Sequence, residues 1–261
     1  MPVYSLTACP ACTGNAADVL ADEAAIRAEL ELLWMFHLAR RVERVPTRQL
    51  FDRAYFSQHP PLRLARCRAC GTVYRDPGER ADALLETYRN ETLTDELLGP
   101  LYVAQRASYR RQAKRLTSVA GGPGVGLEVG SYVGAFLHAA AQIGWRFAGV
   151  DVNEPANAFA SRQGFDVQLG RLEDVSPNVT LDAIAFWNCF DQLADPRATL
   201  RAARERLRKG GVIAIRVPNG DCYARFCAAA RNGHRLALLV LAYNNLLGFP
   251  YRQGFNPRSL G

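Results

Sequence analysis

LEVGSYVGAFLHAA, residues 127–140, passes from a short apolar run through two glycines into a stretch with helical spacing. That order predicts a strand, a tight loop and a helix. Gly130 and Gly134 free the backbone to turn sharply and to approach a ligand closely, with Ser131 and Tyr132 between them. Upstream, AGGPGVG at residues 120–126 is a cluster of breakers that opens a new core. Five short strands are predicted in all: Gly126–Val129, Arg146–Val150, Asp166–Leu169, Asp182–Phe186 and Val212–Val217. Between them Phe136, Leu137, Ala140 and Ala141 form one apolar helix face, and Leu200, Ala203 and Leu207 form another that Gly210-Gly211 should stop. Strand alternating with helix implies an α/β architecture, a doubly wound and mostly parallel sheet. Ligands of such sheets sit at the carboxyl ends of the strands.

Two carboxylates fall at those ends. Glu128 closes the first strand, and Asp151 closes the second in GVDVNEP, 21 residues after Gly130 (151 − 130). An acidic side chain there can accept hydrogen bonds from both ribose hydroxyls, as in dinucleotide sites. The loop, however, reads G-S-Y-V-G with no third glycine to seat a pyrophosphate. A nucleoside without phosphates fits it better.

With these residues in order, the sequence resembles the class I S-adenosylmethionine-dependent methyltransferases over roughly residues 125–219. The resemblance rests on LEVGSYVGAFL, GVDVNEP, RLEDV at 171–175 and AFWNCFDQLADPRATLRAARERLRKGGVIAIRVPN at 185–219. It implies a Rossmann-like methyltransferase fold, with the Gly130–Gly134 loop on the methionine part of the cofactor and Glu128 nearby. Asp151 would hold the ribose and Val152 would lie against the adenine, with Glu173 or Asp174 meeting the adenine amino group. Trp187 and Asn188 would border cofactor and acceptor. It also implies two further strands, for which the 44 residues after Val217 (261 − 217) offer no candidate. They read instead as helices over Asp221–Arg231 and Arg235–Leu247. The expectation is a C-terminally incomplete domain over residues 121–261, preceded by a helical linker over 81–120; a natural five-stranded variant is the alternative.

After the fourth strand, Gln192 stands where many relatives carry a His, and Gln cannot serve as a base near neutral pH. Asp191 is the nearest titratable group, with a helix N-cap as its structural alternative. His234 is a second, weaker candidate for an acceptor pocket, whereas His138 reads as a packing residue. An acceptor that is already nucleophilic needs only alignment with the methyl carbon; one that must lose a proton needs a base.

Cys9-Pro-Ala-Cys12 and Cys67-Arg-Ala-Cys70 form two C-x-x-C knuckles that can present four thiolates to one zinc. The 54 intervening residues (13 to 66) exceed ordinary zinc-ribbon spacing, but Gly71 supplies the tight turn a knuckle needs. CRACGTVYRDP resembles the zinc-ribbon entry ahead of some methyltransferase domains, which makes residues 1–80 a zinc-ribbon-like module with a helical insert. A redox C-x-x-C or unligated thiols are the alternatives. Cys189, Cys222 and Cys227 read as buried apolar residues. Within the insert, Asp22–Arg44 has helical spacing with Leu30, Leu33, Trp34, His37 and Leu38 on one side. It either packs on its neighbours or offers an acceptor-recognition or dimer surface.

Composition narrows the function classes. The 261 residues are 49% hydrophobic, enough for a buried core, and seven cysteines over that length do not make a disulfide-stapled miniprotein. The apolar stretch Leu236–Phe249 is broken by Asn244 and Asn245 and falls short of a membrane span. No secretory signal opens the chain, so a cytoplasmic location is expected. The formal net charge is +7, and of 32 basic residues only Lys114 and Lys209 are lysines. Dense groups at Arg106–Arg115 and Arg197–Lys209 could be a nucleic-acid footprint, although Glu205 can pair with Arg201 or Arg208 on a solvated helix face. The sequence thus points to methyl transfer onto a small-molecule acceptor, a sugar or secondary metabolite. RNA methylation lacks the N-P-P-[YF] signature after the fourth strand, and a non-catalytic zinc-ribbon and cofactor-fold binding protein is the remaining class.

Overall fold

The computed structural model describes residues 4–5, 8–28, 31, 63–234, 236–237, 240–241 and 252–261. The chain forms two compact units, each assembled from separated segments. One comprises Met1–Arg80, Asp191–Ala194 and Val217–Gly261; the other comprises Ala81–Phe190 and Asp195–Arg216.

The first unit begins with β1 (Tyr4–Ser5), β2 (Ala17–Ala21), β3 (Leu64–Cys67), β4 (Val73–Arg75) and β5 (Gly78–Glu79). β1 pairs with β5, and β2, β3 and β4 form an antiparallel meander. Of the helix expected over Asp22–Arg44, residues 23–28 are helical, opened by the Asp22 carboxylate accepting from Ala25 N at 2.9 Å. Leu30, Leu33, Trp34, His37 and Leu38 lie outside the described residues.

The second unit opens with α1 (Ala81–Arg89), α2 (Asp95–Ser108) and α3 (Arg110–Ala120), then alternates. β6 (Val125–Val129), α4 (Ala135–Ala141), β7 (Arg146–Asp151), α5 (Glu154–Arg162), β8 (Val167–Leu169), β9 (Leu181–Trp187), α6 (Pro196–Arg206) and β10 (Leu207–Arg216) follow. The five strands lie in the order β10-β9-β6-β7-β8, every neighbouring pair parallel. The chain winds outward from β6 to β8 and then returns to place β9 on the other side of β6. That reversal is the topological switch point, beside which ligands of such sheets bind. Among the described residues no sixth strand joins this sheet.

Phe136 on α4 organises the core: it is fully buried, with ring centroids 5.1 Å from Phe147 of β7, 5.1 Å from Trp187 of β9 and 5.9 Å from Tyr109. Glycine is required where strands and helices meet most closely. A Cβ on Gly126 would lie 2.3 Å from the Phe147 ring, so β6 can carry only glycine there without displacing β7's side chain.

One boundary differs from expectation. Gly210-Gly211 does not stop the helix; α6 already ends at Arg206, whose buried guanidinium bonds Ala202 O at 2.9 Å and also Val175 O. Leu207 then pairs with Leu181, and Gly210 at φ 79° lies in the register shift between Leu207 and Val212. Glu205 makes no ion pair among the described residues, and Arg208 instead bonds Asp182.

The chain returns to the first unit with α7 (Gly220–Arg231), β11 (Gln253–Gly254) and α8 (Pro257–Leu260). β11 adds to the edge of β4, completing a four-stranded sheet in the order β11-β4-β3-β2. Ile26, Leu64, Val73, Tyr223 and Cys227 share its core. The helix expected over Arg235–Leu247 falls largely outside the described residues; 236–237 and 240–241 are helical. Among the described residues no helix is long and apolar enough to cross a membrane.

Candidate functional site

At the carboxyl end of β6 the chain enters a strained loop. Gly130 and Gly134 are both at φ 71°, and Tyr132 between them is at φ 47°, a conformation unfavourable to a bulky residue. A Cβ on Gly130 would lie 2.8 Å from Cys189 Cβ, and one on Gly134 would lie 2.6 Å from the Phe165 ring. Cys189 is held there by its thiol donating to Val129 O at 2.9 Å. Glycine at both positions thus lets Cys189 and Phe165 pack directly on the loop backbone.

Two carboxylates flank this loop. Asp151, at the end of β7, accepts from Tyr132 N through Oδ2 and from Asn153 N through Oδ1, each at 2.9 Å. The first bond ties the glycine loop to the end of β7, and the second shapes the turn that follows that strand. Desolvation raises its pKa, and the backbone N–H donors oppose that rise. Glu128 is 3% exposed, and its Oε2 has no hydrogen-bond partner. Burial pushes its pKa well above the usual carboxylate range; repulsion from Asp151 adds to this and attraction from Arg216 opposes it. Ser131 Oγ, also buried, has no partner either. Buried groups left unbonded at a strand end are costly, and they mark a place built for a polar ligand. An acid in such a niche suits a cation.

The other expected residues are distributed less simply. Val152 follows Asp151, half-buried. Glu173 and Asp174 are exposed and already engaged: Glu173 accepts from Thr199 Oγ1 at 2.8 Å, and Asp174 accepts from Arg171 N at 2.9 Å and from its guanidinium. The Arg171 bonds hold the Asp174 carboxyl below its usual range. Trp187 turns its ring into the core against Phe136, leaving its buried Nε1 without a partner. Asn188 sits just past β9 at φ 59°, its Oδ1 accepting from Arg216 Nε at 2.8 Å.

Asn153 has a role that sequence reasoning missed. Its Oδ1 caps α5 by accepting from Ala156 N, while its Nδ2 donates to Tyr88 O at 3.0 Å and Glu91 O at 2.9 Å. One side chain thus ties the end of α1 and the residues just beyond it to the corner that carries Asp151. The cap was legible in V-N-E-P; the clamp to a segment more than 60 residues away was not.

The cysteine cluster lies in the first unit. All four sulfurs of Cys9, Cys12, Cys67 and Cys70 are within 4.8 Å of one another. Cys9 to Cys70 and Cys12 to Cys67 are each 3.5 Å. A tetrahedral zinc with bonds of about 2.3 Å needs sulfurs about 3.8 Å apart, so the donor set fits. Each knuckle turns on a left-handed residue, Thr13 at φ 60° and Gly71 at φ 80°. Gly71 N donates to Cys67 O at 2.9 Å, and Asn256 Nδ2 fills the space its missing Cβ leaves while donating to Cys70 O at 3.1 Å. Burial opposes ionisation of Cys70, but bonds to Thr72 and Cys9 outweigh it and lower its pKa to about 7. Of the remaining cysteines only Cys227 is fully buried; Cys189 and Cys222 are partly exposed.

Asp191 is not a helix cap. Asp195 caps α6, accepting from Ala198 N at 2.9 Å ahead of Pro196 at the first helical turn. Asp191 lies in the first unit, fully buried, with neither carboxylate oxygen bonded. Burial raises its pKa to about 7, against the pull of Arg252, whose backbone N donates to Asp191 O at 3.3 Å. His234 is exposed beyond the end of α7, and His138 packs with its Nδ1 3.0 Å from Tyr102 Oη.

A family model described as "Methyltransferase domain" matches residues 102–256, more than half of the chain. The chain belongs to this family, and its parallel sheet is that of Rossmann-like methyltransferases. No curated protein matches the sequence. Among solved structures the chain is similar to CalS10, an amino pentose methyltransferase from Micromonospora echinaspora, at 21% identity over 48% of this chain and 57% of that one, with a TM-score of 0.41. It is similar also to the plantazolicin methyltransferase BpumL, at 16% identity over 63% of this chain and 68% of that one, TM-score 0.44. A third is DesVI of Streptomyces venezuelae, at 18% identity over 48% of this chain and 58% of that one, TM-score 0.41. The chain thus spans less than two thirds of the length of CalS10 and of DesVI.

Asp191 gives a direct physical test. Its folded pKa of about 7 exceeds the ordinary value of 3.8, so between those pH values the folded state holds a proton the unfolded chain has released. Stability is therefore lost as pH rises through that window. Asp191→Asn removes the titration, and its thermal midpoint relative to wild type should improve from pH 5 to pH 8; a constant difference would refute the assignment.

Proposed function

We propose that the chain transfers a methyl group from S-adenosylmethionine to a small-molecule acceptor of the sugar or secondary-metabolite class, in the cytoplasm. The observation that carries this reading is the buried carboxyl of Glu128, its Oε2 without a partner, beside the strained glycine loop. S-adenosylmethionine brings an ammonium and a sulfonium, and its sulfonium supplies the activated methyl group. Gly130, Ser131, Tyr132 and Gly134 receive the methionine part along exposed backbone, and Glu128 answers its positive charge. Asp151 holds the ribose with the lone pairs its two backbone bonds leave available, and Val152 lies against the adenine. Glu173 or Asp174 reaches the adenine amino group by exchanging its present partner for the ligand. Asn188, and Trp187 through its free indole N–H, border cofactor and acceptor.

Asp191 is the proposed proton acceptor, with His234 the weaker candidate. The cap role that competed for Asp191 belongs to Asp195, and a carboxyl titrating near neutrality is matched to general-base work. Cys9, Cys12, Cys67 and Cys70 are proposed to hold one structural zinc: four thiolates would close its coordination, leaving the metal to staple the module. RNA is the second reading, favoured by one observation. Arg106, Arg110, Arg111, Lys114 and Arg115 are all exposed on α2 and α3 without an ion pair among the described residues.

Calorimetry with S-adenosylmethionine tests the cofactor site. Wild type should bind, Asp151→Ala should weaken binding at least tenfold, and Glu128→Gln should do so most at alkaline pH, where the wild-type carboxyl is ionised. Equal affinities across the three proteins would sink the assignment. A methyl-transfer screen with labelled cofactor against sugars, sugar nucleotides, metabolite extracts and RNA then identifies the acceptor. Product from small molecules, reduced in Asp191→Asn, is the expected result. Product from RNA alone, falling steeply with salt, would replace that reading with the second.

Metal analysis checks the cysteine assignment independently. About one zinc per chain is expected, and Cys67→Ser with Cys70→Ser should lose it together with stability. A zinc-free wild-type protein purified under reducing conditions would contradict the proposal.

A further inference from the structure

Asp191 is placed by other residues. Neither of its carboxylate oxygens has a hydrogen-bond partner, so nothing at the tip of the side chain fixes it. Its place is set by the backbone of residues 191–193, and two donors from the C-terminal stretch hold that backbone. Arg252 N donates to Asp191 O at 3.3 Å, and Gln253 Nε2 donates to Leu193 O at 2.9 Å. Gln253 is 6% exposed, so its amide makes this bond where little water competes for it.

The same stretch is fixed at its other end to the second cysteine knuckle. Cys67 N donates to Thr72 O at 2.9 Å, closing the knuckle, and β4 begins at the next residue. β11 pairs with β4 there, Gly254 opposite Val73 and Gln253 opposite Tyr74, and Arg75 N donates to Arg252 O at 3.1 Å. Asn256 adds a side-chain tie: its Nδ2 donates to Cys70 O at 3.1 Å, and a Cβ on Gly71 would lie 2.7 Å from that nitrogen. Its Oδ1 meanwhile accepts from Ser259 N at 2.9 Å, so the amide is held from both ends. From Cys70 to Asp191 each connection is a hydrogen bond or a strand pairing within the first unit.

We propose that Asn256 and Gln253 are positioning residues for Asp191: Asn256 fastens residues 252–256 to the Cys67–Cys70 knuckle, and Gln253 passes that hold to residues 191–193. This rests on the proton-acceptor reading for what Asp191 does and on the zinc reading for what tightens the knuckle; the fastening itself is a property of the chain. Closing the two knuckles around a metal stiffens the Cys67–Cys70 turn and, through residues 252–256, the strip that carries Asp191. Glu128 and Asp151 belong to the other unit and take no part in these bonds. Metal occupancy therefore acts on the strip of Asp191 and leaves affinity for S-adenosylmethionine unchanged.

The test follows amide hydrogen exchange by NMR in the full chain, zinc-loaded and after chelation under reducing conditions. The reporters are the Arg252 amide, bonded to Asp191 O, and the Gly71 amide, bonded to Cys67 O inside the knuckle. Chelation should speed both about tenfold in wild type. Asn256→Ser keeps an oxygen able to cap α8 but has no donor to reach Cys70 O. In the zinc-loaded variant the Arg252 amide should exchange about fivefold faster, the factor that one net hydrogen bond gives, while Gly71 keeps its wild-type rate. Gln253→Met removes only the bond to Leu193 O. It should lower kcat in the methyl-transfer assay about tenfold, with calorimetric affinity for S-adenosylmethionine at the wild-type value. An Arg252 amide indifferent to Asn256→Ser, or one that quickens only in step with Gly71, would overturn the proposal. So would a Gln253→Met protein with wild-type kcat. Should Gln253→Met fail to fold, the exchange rates of Asn256→Ser decide alone, and they need no acceptor. Wild-type protein that takes up no zinc would defeat the zinc reading, while Asn256→Ser against wild type would still decide the fastening.

Discussion

A carboxyl group sealed into the end of a central strand, with one oxygen left unbonded, is the constraint around which this sheet is arranged. Glycines let the surrounding loop pack closely beside it: Gly130 admits Cys189, Gly134 admits the Phe165 ring, and Gly149 in β7 leaves room for Ser131, whose Oγ would lie 2.5 Å from a Cβ at that position. Asp151 ties the glycine loop to the end of β7 through Oδ2 and shapes the turn after β7 through Oδ1, so neither task falls to Glu128. The strand order does the rest: β6 has β7 on one side and β9 on the other, so the loops carrying Asp151 and Asn188 emerge on either side of it. A ligand held there is reached from both.

The cysteine module shows a similar economy by different means. Its four sulfurs come from two turns 54 residues apart in sequence, and the antiparallel pairing of β2 with β3 is what brings the turns together: Ala17 pairs with Cys67. The C-terminal stretch is built into the same sheet through β11, and Asn256 reaches from the α8 capping box to the carbonyl of Cys70. Arg66 pairs with Asp221 of α7 at 3.0 Å. Residues far apart in the chain are therefore part of one small fold.

Much of the sheet was legible because its strands are brief apolar runs bounded by glycine, and β6, β7 and β9 lie within a residue or so of where the pattern puts them. The errors came where two local signals competed. Gly210-Gly211 looks like a helix stop, yet the helix ends at Arg206 because Leu207 turns extended and pairs with Leu181 in the sheet. Asp191 and Asp195 both precede a helix, and only Asp195 has proline at the next position, the better start signal. In the site, the glycine loop and the two strand-end acids are readable from spacing alone. Arg216 and the Asn153 clamp are not, since each acts through partners from other elements, and no periodicity marks such a contact.

Glu79 shows why unbonded acids in this protein carry meaning. It too is buried, with its side chain 12% exposed, but Arg75 bonds one oxygen at 3.2 Å and Arg252 bonds the other. Burial works against its ionisation, and the two guanidiniums outweigh it, holding the carboxyl below its usual range. The chain, with 30 arginines among its 32 basic residues, has ample means to satisfy a buried carboxylate in this way. At Glu128 and Asp191 it does not. Each sits within electrostatic reach of an arginine, Arg216 in one unit and Arg252 in the other, and neither is bonded by it. An arginine close enough to favour the charge but not to occupy the oxygen leaves the acid poised rather than satisfied. Such an arrangement lowers stability relative to a closed ion pair, and what it provides in return is a carboxylate free to receive a cation or a proton.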